Sequence, residues 1–176
     1  MSISFILPTI GRPTLTRTLN SIQRRDDDEI LVAGYINVDD PRPRYFQMDN
    51  GRDWGRSERL LMMQYAKCEY LAFIDDDDWY TPDARQQMED VITTYPGRPV
   101  LFRMKYPNGI VIWADEEVRC GNVSTQMILI PNQPEMFGTW TTDRAGDFQF
   151  LNSMKWPHSE IVWARQVTVN VGHNEG

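Results

Sequence analysis

Short apolar runs alternate with segments of helical periodicity through the first hundred residues, and few architectures accept that alternation. Residues 2–8, 29–37 and 70–74 are brief, β-branched or aromatic runs that read as buried strands. Between and after them, Leu15, Leu19 and Ile22, then Leu61, Tyr65 and Cys68, then Met88, Val91, Ile92 and Tyr95 each share one helical face. Pro13 suits a first helical turn, and Thr81-Pro82-Asp83 reads as an N-cap, a Pro at the first helical position and an acid at the positive end. Strand and helix in strict alternation build a parallel sheet through right-handed crossovers.

After residue 99 the pattern changes. Residues 100–104 and 110–114 flank a Pro107-Asn108-Gly109 turn, residues 127–130 form another apolar run, and Val167, Val169 and Val171 alternate in the tail. The expected fold is therefore α/β and Rossmann-like, a mostly parallel central sheet flanked by helices with a small mixed, antiparallel extension. With 176 residues the chain has room for one core, so residues 1–176 read as a single domain of two halves, 1–98 and 99–176.

Composition narrows the function. Six Trp, seven Tyr and seven Phe exclude bulk disorder. No run approaches the roughly 18 apolar residues of a membrane span, and there is no secretory pattern, so a cytoplasmic protein is expected. Cys68 and Cys120 lie far apart with no CxxC partner, which excludes a disulfide framework and a cysteine zinc site; both are expected reduced and buried. A net charge of −7 argues against nucleic acid as partner. Yet 15 of the 18 basic residues are Arg, whose planar fork suits a phosphorylated small ligand.

Asp75-Asp76-Asp77-Asp78 follows directly on the apolar run 70–74. In open α/β sheets ligands bind beyond the carboxyl ends of the strands, which is where this quartet falls. Four adjacent carboxylates repel one another unless a cation or hydrogen-bond donors compensate, and hard oxygen ligands suit Mg²⁺ or Mn²⁺. A solvated acidic turn is the plainer reading of the same residues.

Phe73-Ile74-Asp75-Asp76-Asp77-Asp78-Trp79, with Thr81-Pro82-Asp83 after it, resembles the Asp-x-Asp strand end of GT-A-fold glycosyltransferases of the family 2 type. The resemblance implies that Asp77 ligates Mn²⁺ or Mg²⁺ between it and the donor's diphosphate, with Asp75 and the carboxyl-terminal His173 as further metal candidates. Asp75 and Asp76 would orient the ribose or the metal's waters. Pro8-Thr9 matches the end of the family's first strand, and Asp39-Asp40 its base-contacting acidic pair, although Pro41-Arg42 replaces the usual Gly-Ser. Residues 50–59 stand where the family has a Gly-rich loop and an Ala-Arg-Asn helix start; only the Gly and Arg are kept, which makes Arg56 and Arg59, with Arg12, candidates for facing the nucleotide.

Gly146-Asp147 is the counterpart of the family's Glu-Asp, so Asp147 would be the general base of an inverting transfer. An N-cap is the plainer role for it. Trp140 and Trp156 flank it in sequence and are candidate acceptor platforms. The implied activity is metal-dependent transfer from a nucleotide-diphosphate sugar, a UDP-sugar first, to a saccharide, polymer or protein hydroxyl. A sugar-1-phosphate nucleotidyltransferase is an alternative, although Ile10-Gly11-Arg12-Pro13 is short for its phosphate loop. A noncatalytic module holding Ca²⁺ on Asp75 to Asp78 and sugar on Trp is another.

Overall fold

The computed structural model describes residues 1–49 and 53–172. In chain order the elements are β1 (Ile3–Thr9), α1 (Leu15–Ser21), β2 (Glu29–Gly34), β3 (Arg44–Gln47), α2 (Arg56–Tyr65), β4 (Tyr70–Phe73), β5 (Trp79–Tyr80), α3 (Ala84–Thr94), β6 (Val100–Lys105), β7 (Val111–Ile112), β8 (Ile128–Pro131), α4 (Gly146–Ser153) and β9 (Val162–Asn170). One sheet runs in the order β3-β2-β1-β4-β8-β6-β9-β5, with β7 beside β6.

Its first four strands are parallel, the β1 residue Ile6 facing Leu31 of β2 on one side and Phe73 of β4 on the other. From β4 the sheet turns mixed: β8 is antiparallel to both β4 and β6, β9 parallel to β6, and β5 antiparallel to β9. The α/β architecture read from the alternation is the one observed, with the mixed extension in the second half. All of β1 and β4 is buried, as expected of parallel strands covered on both faces. Among the described residues no helix is long and apolar enough to cross a membrane.

Several boundaries differ from the sequence reading, each for a physical reason. β2 stops at Gly34, whose φ is +128° and whose missing Cβ would lie 1.9 Å from the Thr9 carbonyl oxygen. Thr81 does not cap α3; its N–H and hydroxyl both donate to the β9 backbone, at Thr168 and Val167, so the cap falls on Asp83. Tyr95 is left exposed at the end of α3 with Arg98 over its ring. Cys68 is buried but Cys120 is exposed, against the expectation for both. β3 lies in what reads as a Pro- and Arg-rich loop, where four residues at a sheet edge give too short an alternation to see.

A buried ion pair ties the edge of this layer together. The Asp28 carboxylate, fully enclosed, accepts from Ile3 N (2.8 Å), Arg25 N (2.8 Å) and the Arg85 guanidinium (Nε 2.7 Å, Nη2 3.0 Å). It joins the start of β1, the turn before β2 and the first turn of α3.

Candidate functional site

Beyond Phe73 the backbone continues on β1 for one residue, Ile74 N donating to Ile6 O, and then turns, Asp78 N donating to Asp75 O at 3.1 Å. This turn sends the four carboxylates in different directions. Asp76, 1% exposed, points back to the loop after β1 and accepts from Thr9 Oγ1 (2.7 Å), Ile10 N (3.0 Å) and Arg12 Nη1 (2.5 Å). Asp78, equally buried, accepts from Gly172 N (2.9 Å) and Gln126 Nε2 (2.7 Å). Asp75 accepts from Arg59 Nη2 (2.5 Å) on α2 and from the same Gln126 Nε2 (2.8 Å). Asp77 keeps a quarter of its side chain exposed, with Arg12 Nη1 3.6 Å away.

Repulsion within the quartet is therefore met by donors from several elements, with Gln126 serving both Asp75 and Asp78. What remains of it shows in titration. Burial first, then the Asp75 charge, pushes Asp78 up to about 7, and burial raises Asp75 in spite of Arg59. Among the described residues no three acidic, His or Cys side chains converge to hold an ion. His173 lies outside the described residues.

A cavity of about 380 Å³ opens at this edge, between Pro8, Thr9, Ile10 and Arg12 from the first loop, Asp75 and Asp76, and Trp54, Gly55, Glu58 and Arg59 at the start of α2. Gly55 is in the left-handed region at φ +77°, and a Cβ there would stand 2.8 Å from Arg59 Nη1 and 3.2 Å from Pro8 Cβ. The positive φ favours glycine, and a Cβ would push Arg59 aside and crowd Pro8. Arg59, 4% exposed, spans the cavity floor from the Trp54 carbonyl (2.6 Å) to Asp75. A smaller cavity of about 110 Å³ adjoins the first, sharing Trp54, Arg59 and Asp75, and reaches Arg56, Trp140 and Asp147.

Asp147 stands in the first turn of α4, where a carboxylate is favoured by the helix dipole, but the N-cap is Ala145. Its Oδ2 accepts from Ser124 Oγ (3.0 Å) and Thr125 N (3.1 Å).

The structure thus brings Pro8, Thr9, Arg12, Arg56, Arg59, Asp75, Asp76 and Asp147 to one continuous cleft, with Asp77 on the turn beside it. It leaves others out. The hydrogen bonds from Arg42 hold Asp40 below the usual carboxylate range, and Arg42 reaches on to Asn20, so Asp40 is occupied and lines neither cavity. Trp156 is 4% exposed and also lines neither. Trp140, 3% exposed, is stacked on Phe150 at 4.2 Å and carries Arg59 5.3 Å from its ring centre. Its ring thus packs against Phe150 and Arg59, and Trp140 lines the smaller cavity together with Asp147. Among the residues lining the two cavities, Trp54 is an exposed aromatic, 65% accessible at φ +58° and shared by both. Neither Trp54 nor Gln126 follows from sequence pattern; the Trp54-Gly55 pair ahead of a helix is the one local signal.

A family model described as glycosyl transferase family 2 matches residues 4–111. No curated protein matches the sequence. Among solved structures, S. aureus TarS 1-349 superposes with a TM-score of 0.72 at 17% identity over 97% of this chain and 60% of that one. The same fragment in complex with UDP-GlcNAc gives a TM-score of 0.74 at 15% identity over all of this chain and 60% of that one. Against S. aureus TarS the score is 0.71 at 15% identity, covering 97% of this chain and 36% of that one. The chain spans less than two thirds of the length of each. At these identities the likeness is one of fold.

Proposed function

As the chain belongs to glycosyl transferase family 2, we propose that it moves a sugar from a nucleotide-diphosphate sugar to a hydroxyl acceptor. The observation that carries this reading is the pair of cavities meeting at Arg59 and Asp75, the larger sized for a nucleotide and the smaller holding Asp147. A UDP-sugar is the first donor to test, since UDP-GlcNAc is the ligand named for one structural relative.

The donor lies in the larger cavity with its diphosphate toward Arg12 and Asp77. Arg12 and Arg59 supply guanidinium groups to that region, although both already serve carboxylates of their own chain, Asp76 and Asp75. Thr9 and Asp76 spend their polar atoms on each other and on the backbone and Arg12 of the same loop, and so shape the wall. Asp147 takes the proton of the acceptor hydroxyl, whose oxygen forms a bond to the anomeric carbon. The bond from that carbon to the phosphate oxygen breaks, its electron pair leaving with the nucleoside diphosphate, and attack from the opposite face inverts the centre.

Asp77 is the carboxylate left to a cation, since Asp75, though slightly more exposed, is taken up by Arg59 and Gln126. One carboxylate fits Mn²⁺ or Mg²⁺ provided the donor's phosphates supply other ligands, the usual mode for Mg²⁺. When bound, such an ion neutralises charge developing on the departing diphosphate.

The test is thermal stability against UDP-, GDP-, ADP- and TDP-sugars, with and without Mn²⁺, on the wild type and on Asp77→Ala. A ligand at a hundred times its Kd adds about 2.7 kcal/mol, or roughly 5–10 °C in a domain of this size. A metal-dependent shift for one nucleotide, lost in Asp77→Ala, is the expected result. A shift with Ca²⁺ alone and with no nucleotide sugar would replace the transferase by a cation-binding module.

A further inference from the structure

The two carboxylates of the cleft with separate roles, Asp75 beside the donor and Asp147 beside the acceptor, are joined by side chains from a third place in the sequence. Ser124, Thr125 and Gln126 precede β8, with Thr125–Met127 forming one turn of 3₁₀ helix. Gln126 Nε2 lies 2.8 Å from Asp75 Oδ2 and 2.7 Å from Asp78 Oδ2, so the amide's two N–H groups meet two carboxylates. With Asp75 and Asp78 ionised, the reverse orientation would set its carbonyl oxygen against two negative charges. Its Oε1 then faces Ser124 Oγ at 2.6 Å, and Ser124 Oγ is also 3.0 Å from Asp147 Oδ2.

A hydroxyl has one hydrogen, and here it has two acceptors. With Asp147 ionised, the Ser124 hydrogen turns toward Asp147 Oδ2, which Thr125 N–H holds from the other side at 3.1 Å. With Asp147 protonated, that hydrogen is released to Gln126. Both donors act on Oδ2, so among the described residues Oδ1 is the oxygen left for a hydroxyl in the smaller cavity.

We propose that Ser124 and Gln126 are positioning residues of the transfer: the Ser124 hydroxyl holds the base Asp147 while it is ionised and turns to Gln126, whose amide carries the donor-side carboxylate Asp75, once Asp147 has taken the proton. The inference rests on the reading of Asp147 as base. It goes beyond that reading by assigning roles to two residues that do not themselves react.

The experiment follows nucleoside diphosphate release from UDP-GlcNAc, GDP-mannose, ADP-glucose and TDP-glucose, with water as acceptor, for the wild type, Asp147→Ala, Ser124→Ala, Ser124→Thr and Gln126→Leu. For the donor that is turned over, Ser124→Ala should lower kcat about tenfold, the scale of one hydrogen bond to a charged group, with donor KM within about twofold. Ser124→Thr, which keeps the hydroxyl, should recover most of the loss. Gln126→Leu, which also frees Asp75, should lower kcat and raise donor KM together. If Asp147→Ala is inactive while Ser124→Ala keeps the wild-type kcat, the positioning role is overturned and the base stands. If Ser124→Thr fails to recover, or Ser124→Ala changes KM alone, the positioning role is likewise overturned. Full release by Asp147→Ala, or release by no form with any donor, overturns the reading of the base and the positioning role with it.

Discussion

Replacing Arg85 by Met should reveal how much of this fold hangs on one enclosed charge. Asp28 has no exposed side-chain surface, and half of its four hydrogen bonds come from Arg85. Removing the guanidinium strands a carboxylate in the interior, which typically costs about 3–5 kcal/mol. Ile3 N–H and Arg25 N–H stay on the carboxylate, so the lower end applies, about 3 kcal/mol, or a fall in Tm of roughly 6–12 °C. The double variant Asp28→Asn, Arg85→Met has no charge left to bury, and its Oδ1 still accepts from Ile3. It should be more stable than Arg85→Met by about 1 kcal/mol or more, although it carries an extra substitution. Urea denaturation followed by tryptophan fluorescence gives both numbers, the midpoints being compared at a common slope. A cost under about 1 kcal/mol for Arg85→Met, or a double variant weaker than the single, would refute the reasoning that burial of the unpaired charge dominates.

Other outcomes follow from the cleft. In metal-free buffer, Asp78, raised from an unfolded value near 3.9 to about 7, makes the folded chain hold a proton that the unfolded chain has lost. Stability from this group should therefore fall as pH rises from about 4 to about 7 and level off above, and Asp78→Asn should flatten that slope in urea midpoints measured across the range. Gly55→Ala should cost about 1–2 kcal/mol for a left-handed non-glycine and should displace Arg59 from the cavity floor. Calorimetric titration with UDP should show affinity reduced about tenfold, the scale of one charged hydrogen bond, and an unchanged Kd would mean that Arg59 does not face the nucleotide.

Much of the architecture is written in local pattern, and much of the cleft is not. β1 and β4 are runs buried on both faces, so hydrophobicity alone marks them, and the Asp quartet is visible because it breaks off such a run. Where the quartet's members point is settled by Arg59, 16 residues from Asp75, and by partners 48 to 94 residues away: Thr9, Arg12, Gln126 and Gly172. No local rule encodes those meetings. Asp76 accordingly reads in sequence like its neighbours, yet it is a buried strut, and Gln126 reads as an ordinary turn residue. The two tryptophans part company in space. Both rings are buried, the commoner fate of so large a side chain, but Trp140 shares the smaller cavity with Asp147 whereas Trp156, also near it in the chain, lines neither cavity.

Where the two cavities meet, the wall is made of three residues, Trp54, Arg59 and Asp75, and each belongs to both. A change in any of them alters two binding surfaces at once. Selectivity for one substrate is therefore separable only at the outer walls. Glu58 and Ile10 border the larger cavity alone, Thr141 and Arg144 the smaller alone. On the proposed transferase reading, retuning for a different donor or a different acceptor would start at those positions, and variants at the shared wall would couple the two specificities.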